Sequence, residues 1–197
     1  MPSRRGKRVC FVIEKGGTGK TLFSIVCAQS ALAGGLRVAI CDLDRQQDFR
    51  KALDGENCLV LSVKDLIKRE QDYDIAIIDT PPGESGEKEY AVGISDLILI
   101  PISHSFSALD SAATRVKNSN PERTFVVLNM PNPSFSLEKE ITKTAEELFN
   151  VLGKVQQYAK IRNNITMGRY WNYGLKAQEE EGYIALMTSI IDKLSDL

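Results

Sequence analysis

The chain has 197 residues, with 25 Lys and Arg against 26 Asp and Glu, and a single His. Its hydrophobic content of 43% excludes wholesale disorder, and its length predicts one domain over residues 1–197. No stretch approaches the roughly 20 apolar residues of a membrane-spanning helix. The lone His104 argues against histidine-based catalysis. The four cysteines form no CxxC pair, so we expect buried thiols in a reducing cytoplasm.

Short β-branched apolar runs alternate with longer segments of helical periodicity along the chain. The predicted strands are Val9–Ile13, Arg37–Cys41, Leu59–Leu61, Ile75–Asp79, Leu97–Pro101 and Phe125–Leu128. The predicted helices are Lys20–Ala33, Val63–Glu70, Ala108–Lys117, Leu137–Asn150 and Tyr183–Leu197. This alternation is typical of the α/β class, in which a mostly parallel twisted sheet has helices on both faces and forms three layers.

The strongest functional signal lies between the first predicted strand and the first predicted helix. Glycines there let backbone N–H groups approach phosphate oxygens, and the helix N-terminus adds partial positive charge. In this pattern Lys20 contacts the β and γ phosphates and the Thr21 hydroxyl binds Mg²⁺. The predicted nucleotide contacts are Gly16, Gly17, Thr18, Gly19, Lys20, Thr21 and Leu22. The sequence therefore predicts a P-loop NTPase fold with ATP or ADP and Mg²⁺, rather than a glycine-rich turn that binds nothing.

Four stretches carry a resemblance to one family. Residues 15–21 resemble the deviant Walker A motif, KGGxGK[ST], of the ParA/MinD ATPases. Residues 41–46 resemble the family's DxDPQ motif, and residues 75–83 resemble its Walker B strand and switch loop. Residues 100–110 resemble the proline-ended strand and the loop after it. The resemblance spans essentially the whole chain and is closest to small ParA proteins without an N-terminal DNA-binding domain.

The resemblance implies a role for each charged residue of these motifs. Lys15 would reach across an ATP-bound homodimer to the partner's phosphates, and Asp44 would orient the attacking water; with Lys20 they form the predicted catalytic set. Asp42 and Asp79 would join Thr21 at the magnesium shell. From the residues alone, Asp42 and Asp44 could instead be a solvated strand end that caps the following turn.

Other positions carry weaker signals or depart from the family pattern. Asn129 matches a residue that contacts adenine in relatives, although Asn before a turn is also an ordinary turn former. Leu22 replaces a threonine and puts a side-chain contact to the α-phosphate in doubt, and Arg45 replaces the proline of DxDPQ. Glu14 replaces a neutral residue, and we expect that it could pair with Lys15 and restrain it.

Charge is segregated towards the C-terminus. Residues 151–178 contain five basic residues and no acid, interleaved with aromatic residues. Because similar ParA proteins bind DNA non-specifically as ATP dimers, this stretch predicts DNA-binding residues at Lys160, Arg162, Arg169 and Lys176. The alternative is an ordinary soluble surface. We assign the aromatic residues to packing, since duplex DNA exposes no base for stacking.

These observations predict a ParA-type partitioning or positioning ATPase. A ParB-like protein or another cargo adaptor would stimulate its hydrolysis, and it would be cytoplasmic and nucleoid-associated when ATP-bound. One alternative is a MinD-like membrane-cycling ATPase, but the acidic C-terminal helix predicts no stable membrane anchor. The others are a metabolic P-loop enzyme of the dethiobiotin synthetase type and a pseudo-enzyme that binds nucleotide only as a switch.

Overall fold

The computed structural model describes residues 5–103, 105–129, 136–155 and 177–196. Its strands are β1 Lys7–Phe11, β2 Val38–Asp42, β3 Leu59–Val60, β4 Ile75–Asp79, β5 Leu97–Ile102, β6 Thr124–Asn129 and β7 Val151–Val155. They form one sheet in the order β3-β2-β4-β1-β5-β6-β7. Each pairing between these strands is parallel, as the sequence predicted.

Helices cover both faces of the sheet and form the predicted three layers. They are α1 Lys20–Ala33, α2 Asp48–Ala52, α3 Val63–Lys68, α4 Gly86–Ile94, α5 Phe106–Lys117, α6 Ser136–Leu148 and α7 Ala177–Asp196. Apolar residues of α1, α2 and α7 join one core cluster, and those of α3 to α6 join the cluster on the opposite face. The central strands are buried on both sides, which explains their continuous apolar sequences.

The acidic C-terminal helix α7 covers the sheet. Its buried apolar residues are Leu186, Met187, Ile190 and Leu194. They lie in the same core cluster as residues of α1 and β1. The apolar face of this helix therefore packs on the sheet. In the part of the chain that the structure describes, no helix is both long and apolar enough to cross a membrane.

Three elements were not among the predicted ones. Helix α2 has only five residues, and α4 begins at Gly86 and contains Gly93, which obscures its helical pattern. Strand β7 contains Gly153 and Lys154 and lies in the basic stretch. Lys154 forms an ion pair with Glu146 of α6, so this cation already has a protein partner.

Some predicted boundaries also shift. The first strand ends at Phe11 rather than Ile13, because Val12 and Ile13 lead into the phosphate-binding loop while remaining buried. The N–H of Val12 still donates to the carbonyl of Leu99, at 3.0 Å, which anchors the start of that loop to β5. The boundaries predicted for α1 and β4 agree with the structure.

Candidate nucleotide-binding site

The sheet topology places the motif residues at one edge. Strand β1 lies between β4 and β5, where the order of connections changes direction. In open parallel sheets, ligands bind outside the carboxyl ends of the strands at such a point. Residues 14–19 follow β1 there, and Asp42 and Asp79 end the adjacent strands β2 and β4 in register with one another.

The phosphate-binding loop has the conformation that its glycines permit. Gly17 and Gly19 have φ angles of 77° and 102°, in the left-handed region that favours glycine. A Cβ on Gly16 or Gly17 would meet nothing within 4 Å, so this side of the loop is open to a ligand. A Cβ on Gly19 would instead overlap the side-chain amide of Asn129.

Asn129 supports the loop from behind. Its Nδ2 donates to the carbonyl of Thr18 at 2.8 Å, and its side chain is buried. Its Oδ1 and the hydroxyl of Thr18 are buried without a hydrogen-bond partner among the described residues. Asn129 therefore lies at the predicted site, with one buried acceptor that has no hydrogen-bond partner among the described residues. Its predicted contact with adenine stays a prediction.

Lys20 begins helix α1 and is almost fully buried. Its Nζ donates to the carbonyl of Lys15 at 3.3 Å, across the loop. Burial lowers the pKa of Lys20 below its usual value, while the nearby carboxylate of Asp79 acts in the opposite direction. An anionic ligand in the loop would add a further charge that favours the protonated ammonium.

Asp79 is completely buried and is held by two hydroxyls of α1. The hydroxyl of Thr21 donates to its Oδ2 at 2.7 Å, and that of Ser24 donates to its Oδ1 at 3.1 Å. Burial raises the pKa of Asp79 to about 7, and Asp42 acts in the same direction. Sequence reasoning missed Ser24, although its position one helical turn after Thr21 places both on one face of α1.

The carboxylates of Asp42 and Asp44 both accept hydrogen bonds from backbone N–H groups of the segment that follows β2. Asp42 accepts hydrogen bonds from the N–H groups of Asp44 and Arg50, each at 3.0 Å, and burial raises its pKa. Asp44 accepts from the N–H of Gln46 at 3.0 Å through Oδ1. Both carboxylates thus cap the following turn, as the alternative interpretation predicted, but each is half-buried rather than solvated. Their predicted roles at the metal and the attacking water stay predictions.

Lys15 contacts helix α5 within its own protomer. Its Nζ donates to the hydroxyl of Ser105 at 3.1 Å and also to that of Ser107. Glu14, the expected partner of Lys15, instead lies 3.3 Å from the Nζ of Lys88. The expectation of a Glu14–Lys15 pair is therefore wrong, because the Lys15 ammonium contacts serines at the start of α5 while the Glu14 carboxylate pairs with Lys88 and Arg115.

The donor set of the site fits Mg²⁺ bound together with a nucleotide. Among the described residues, no group of three or more His, Cys, Asp or Glu side chains could hold a metal on its own. Mg²⁺ commonly takes few protein oxygens and fills its shell with phosphates and water. Since the Thr21 hydroxyl donates its hydrogen to Asp79, its oxygen lone pairs are left for a cation. The side chain of Leu22, by contrast, lies in the core, so only the backbone of this residue could contact a nucleotide.

Comparison with known proteins identifies the family. Residues 9–169 match the model of the CobQ/CobB/MinD/ParA nucleotide binding domain. The chain belongs to this family. No match is found among curated protein sequences.

Solved structures of ParA/MinD-type proteins share the fold. A plasmid partition protein from Borrelia burgdorferi B31, bound to AMPPNP, superposes with a TM-score of 0.81 at 17% identity, over 96% of this chain and 100% of that one. MinD from Aquifex aeolicus gives a TM-score of 0.78 at 16% identity, with coverages of 95% and 97%. Apo McdA from Cyanothece gives 0.74 at 13% identity, with coverages of 93% and 99%. These likenesses establish the fold.

Of the predicted site residues, the structure brings together residues 15–21, Asp42, Asp44, Asp79 and Asn129 at one edge of the sheet. The predicted DNA-binding residues of this CobQ/CobB/MinD/ParA domain are Lys160, Arg162, Arg169 and Lys176. All four lie outside the described residues.

Proposed function

We propose that the chain is a ParA-type ATPase that hydrolyses ATP to ADP and phosphate and cycles between a monomer and an ATP-bound dimer. One observation carries the proposal: the hydroxyl of Thr21 donates to the buried carboxylate of Asp79 directly beside Lys20 and the open glycine loop. This is the arrangement that a Mg²⁺–triphosphate requires in P-loop ATPases.

Each residue would have a definite task in the reaction. The loop N–H groups and the ammonium of Lys20 would hold the phosphates, and Asp79 would fix the hydroxyl of Thr21. Bound Mg²⁺ would neutralise phosphate charge. Asp44 would orient a water whose oxygen bonds to the γ-phosphorus while the bond to the ADP oxygen breaks. Lys15 would leave Ser105 and Ser107 and contact the phosphates of the partner subunit.

The dimer would bind duplex DNA without sequence preference. The residues proposed for this contact are Lys160, Arg162, Arg169 and Lys176, in a stretch without acidic residues. Pairing of two protomers doubles the number of cations that face one duplex, so affinity would depend on ATP. A ParB-like protein or another cargo adaptor would then stimulate hydrolysis and release the dimer from DNA.

Sedimentation of the protein with ATP and Mg²⁺, with and without duplex DNA, tests this function. We expect a dimer with ATP and a monomer with ADP. Asp44→Ala should retain ATP and accumulate as the dimer. Lys15→Gln should bind nucleotide but stay monomeric, whereas the matched control Lys64→Gln, an exposed lysine of α3, should behave as wild type. A protein that stays monomeric as Asp44→Ala with ATP would contradict the proposal.

The alternatives have less support. A membrane-cycling ATPase would need a free apolar helix face, whereas Leu186, Met187 and Ile190 of α7 are buried in the core. A metabolic enzyme of the dethiobiotin synthetase type would release ADP in response to its small-molecule substrate and not to DNA. A turnover assay with and without DNA separates that class from the proposed one.

A further inference from the structure

A cluster of four charged side chains lies beneath the phosphate-binding loop. Glu14, at the start of the loop, places its Oε1 3.3 Å from the Nζ of Lys88 on α4 and 3.6 Å from Nη1 of Arg115 on α5. Arg115 also pairs with Glu89 at 2.7 Å. The cluster has two acids and two bases, so it is neutral, and it joins the loop to two helices.

The cluster also holds the loop that follows Asp79. The N–H of Gly83 donates to the backbone carbonyl of Glu14 at 2.9 Å. The carbonyl of Gly83 accepts from the ammonium of Lys88, which Glu14 contacts through its carboxylate. Both backbone polar groups of Gly83 are therefore tied to Glu14, the N–H directly and the carbonyl through Lys88.

Because the two basic side chains are buried, each of them needs a paired carboxylate. The side chain of Lys88 is 0% exposed and that of Arg115 is 7% exposed, whereas that of Glu89 is 53% exposed. A buried ammonium without a paired carboxylate is strongly unfavourable. The Oε2 of Glu14 is itself buried without a hydrogen-bond partner among the described residues, so the cluster is incompletely satisfied. Apolar residues of similar size commonly stabilise such a position better. We therefore explain the presence of buried charges here by their contacts with the Gly83 loop, and not by a contribution to the stability of the fold.

The geometry points to Glu14 as a positioning residue: its carboxylate and carbonyl hold Lys88 and Gly83, and so fix the loop after Asp79 relative to the phosphate-binding loop. This inference rests on the proposed function only for the measurement of ATP turnover. The measurement of hydrogen exchange does not depend on it.

Two measurements test the inference on Glu14→Gln, which keeps the shape of the side chain and removes its charge. Hydrogen exchange of the nucleotide-free protein should show residues 80–85 opening about tenfold more often than in wild type, read chiefly at the amide of Gly83 because Pro81 and Pro82 have no amide hydrogen. ATP turnover should fall about tenfold or more, since small displacements at a catalytic site are costly. The control Glu89→Gln is the same chemical change in the same cluster. It leaves Lys88 and Gly83 untouched, so both quantities should stay within about twofold of wild type.

A double variant separates positioning from general stability. In Glu14→Gln/Lys88→Met no unpaired ammonium is buried, so the unfolding temperature should return towards that of wild type. Exchange of residues 80–85 should remain fast and turnover low, because the Gly83 carbonyl has lost its donor. Recovery of turnover together with stability would show that the cluster supports only the fold and would overturn the inference. So would unchanged exchange in Glu14→Gln.

The two proposals fail in different ways. If the wild-type protein neither binds nor hydrolyses ATP, the proposed function is wrong. The exchange of residues 80–85 in the nucleotide-free variants still decides whether Glu14 positions the loop. If wild type hydrolyses ATP and Glu14→Gln matches it in both measurements, the inference alone is wrong.

Discussion

At the scale of single residues, the buried carboxylate of Asp79 makes stability depend on pH. Burial raises its pKa from 3.8 to about 7, so the folded protein favours the neutral acid. Its contribution to stability is complete below pH 4 and is lost as pH rises through about 7. Because the amide does not ionise, the change in the free energy of unfolding caused by Asp79→Asn should be more favourable at pH 8 than at pH 5, by about 2–3 kcal/mol. Urea denaturation at both pH values measures this effect, with the exposed Asp110→Asn as control; an equal change at both pH values would contradict the assignment.

The contact between Lys15 and α5 gives a second residue-scale prediction. Ser107→Asp would offer the ammonium of Lys15 an ion pair within its own protomer, in place of a hydroxyl. If Lys15 acts across the dimer, ATP-dependent dimerisation should weaken about two- to fivefold, the range of an exposed ion pair. Ser111→Asp places the same charge one turn further along α5 and should have no comparable effect. Dimer dissociation constants from sedimentation measure the difference, and equal constants for the two variants would count against the role of Lys15.

Local sequence order predicted the residues that share a motif, but not their distant partners. Residues 15–21 could be placed because a strand, a glycine loop and a helix follow one another directly. Glu14 departed visibly from the family pattern, but its partner Lys88 lies 74 positions later on α4, where nothing in the sequence marks a buried lysine. Only the folded topology brings the two together.

At the scale of secondary-structure elements, α7 should contribute to stability through one face. Ile190 is fully buried and Ile191 is 41% exposed, so the two neighbours form a matched pair. Ile190→Ala should lower the free energy of unfolding by about 2–4 kcal/mol, and Ile191→Ala by less than about 1 kcal/mol. Urea denaturation of the two variants checks the assignment. Equal losses would show that α7 does not cover the sheet as described.

The elements that sequence could predict are those with uninterrupted patterns. Strand β4, Ile75–Asp79, is apolar until its last residue, and its predicted boundaries are confirmed. Strand β7 was missed because Gly153 and Lys154 break the apolar run; a Cβ at Gly153 would come within 2.9 Å of Leu186 on α7, so this glycine permits close packing. This packing involves a residue that is distant in the sequence, so it leaves no local sequence pattern. The order of strands within the sheet was likewise not predicted.

At the scale of the whole molecule, binding to DNA should depend on salt. Removing phosphate contacts lowers the slope of log affinity against log salt by about one per contact. Lys160→Gln/Arg162→Gln should therefore weaken binding of the ATP-bound dimer and reduce this slope. Lys64→Gln/Lys68→Gln removes the same charge from α3 and is the matched control. Fluorescence anisotropy with labelled duplex over a salt series measures both, and identical slopes for the two variants would contradict the proposed surface.

The central place of β1 has a consequence for synthesis. Its two neighbours are β4 and β5, and Asn129 at the end of β6 donates to Thr18, so the loop that follows β1 lacks complete support until the chain has left the ribosome as far as Asn129. Parallel partners need long crossovers before they can pair. A nascent fragment that ends before β5 would contain the complete KGGTGKT motif but would lack strands that hold this loop in its phosphate-binding conformation.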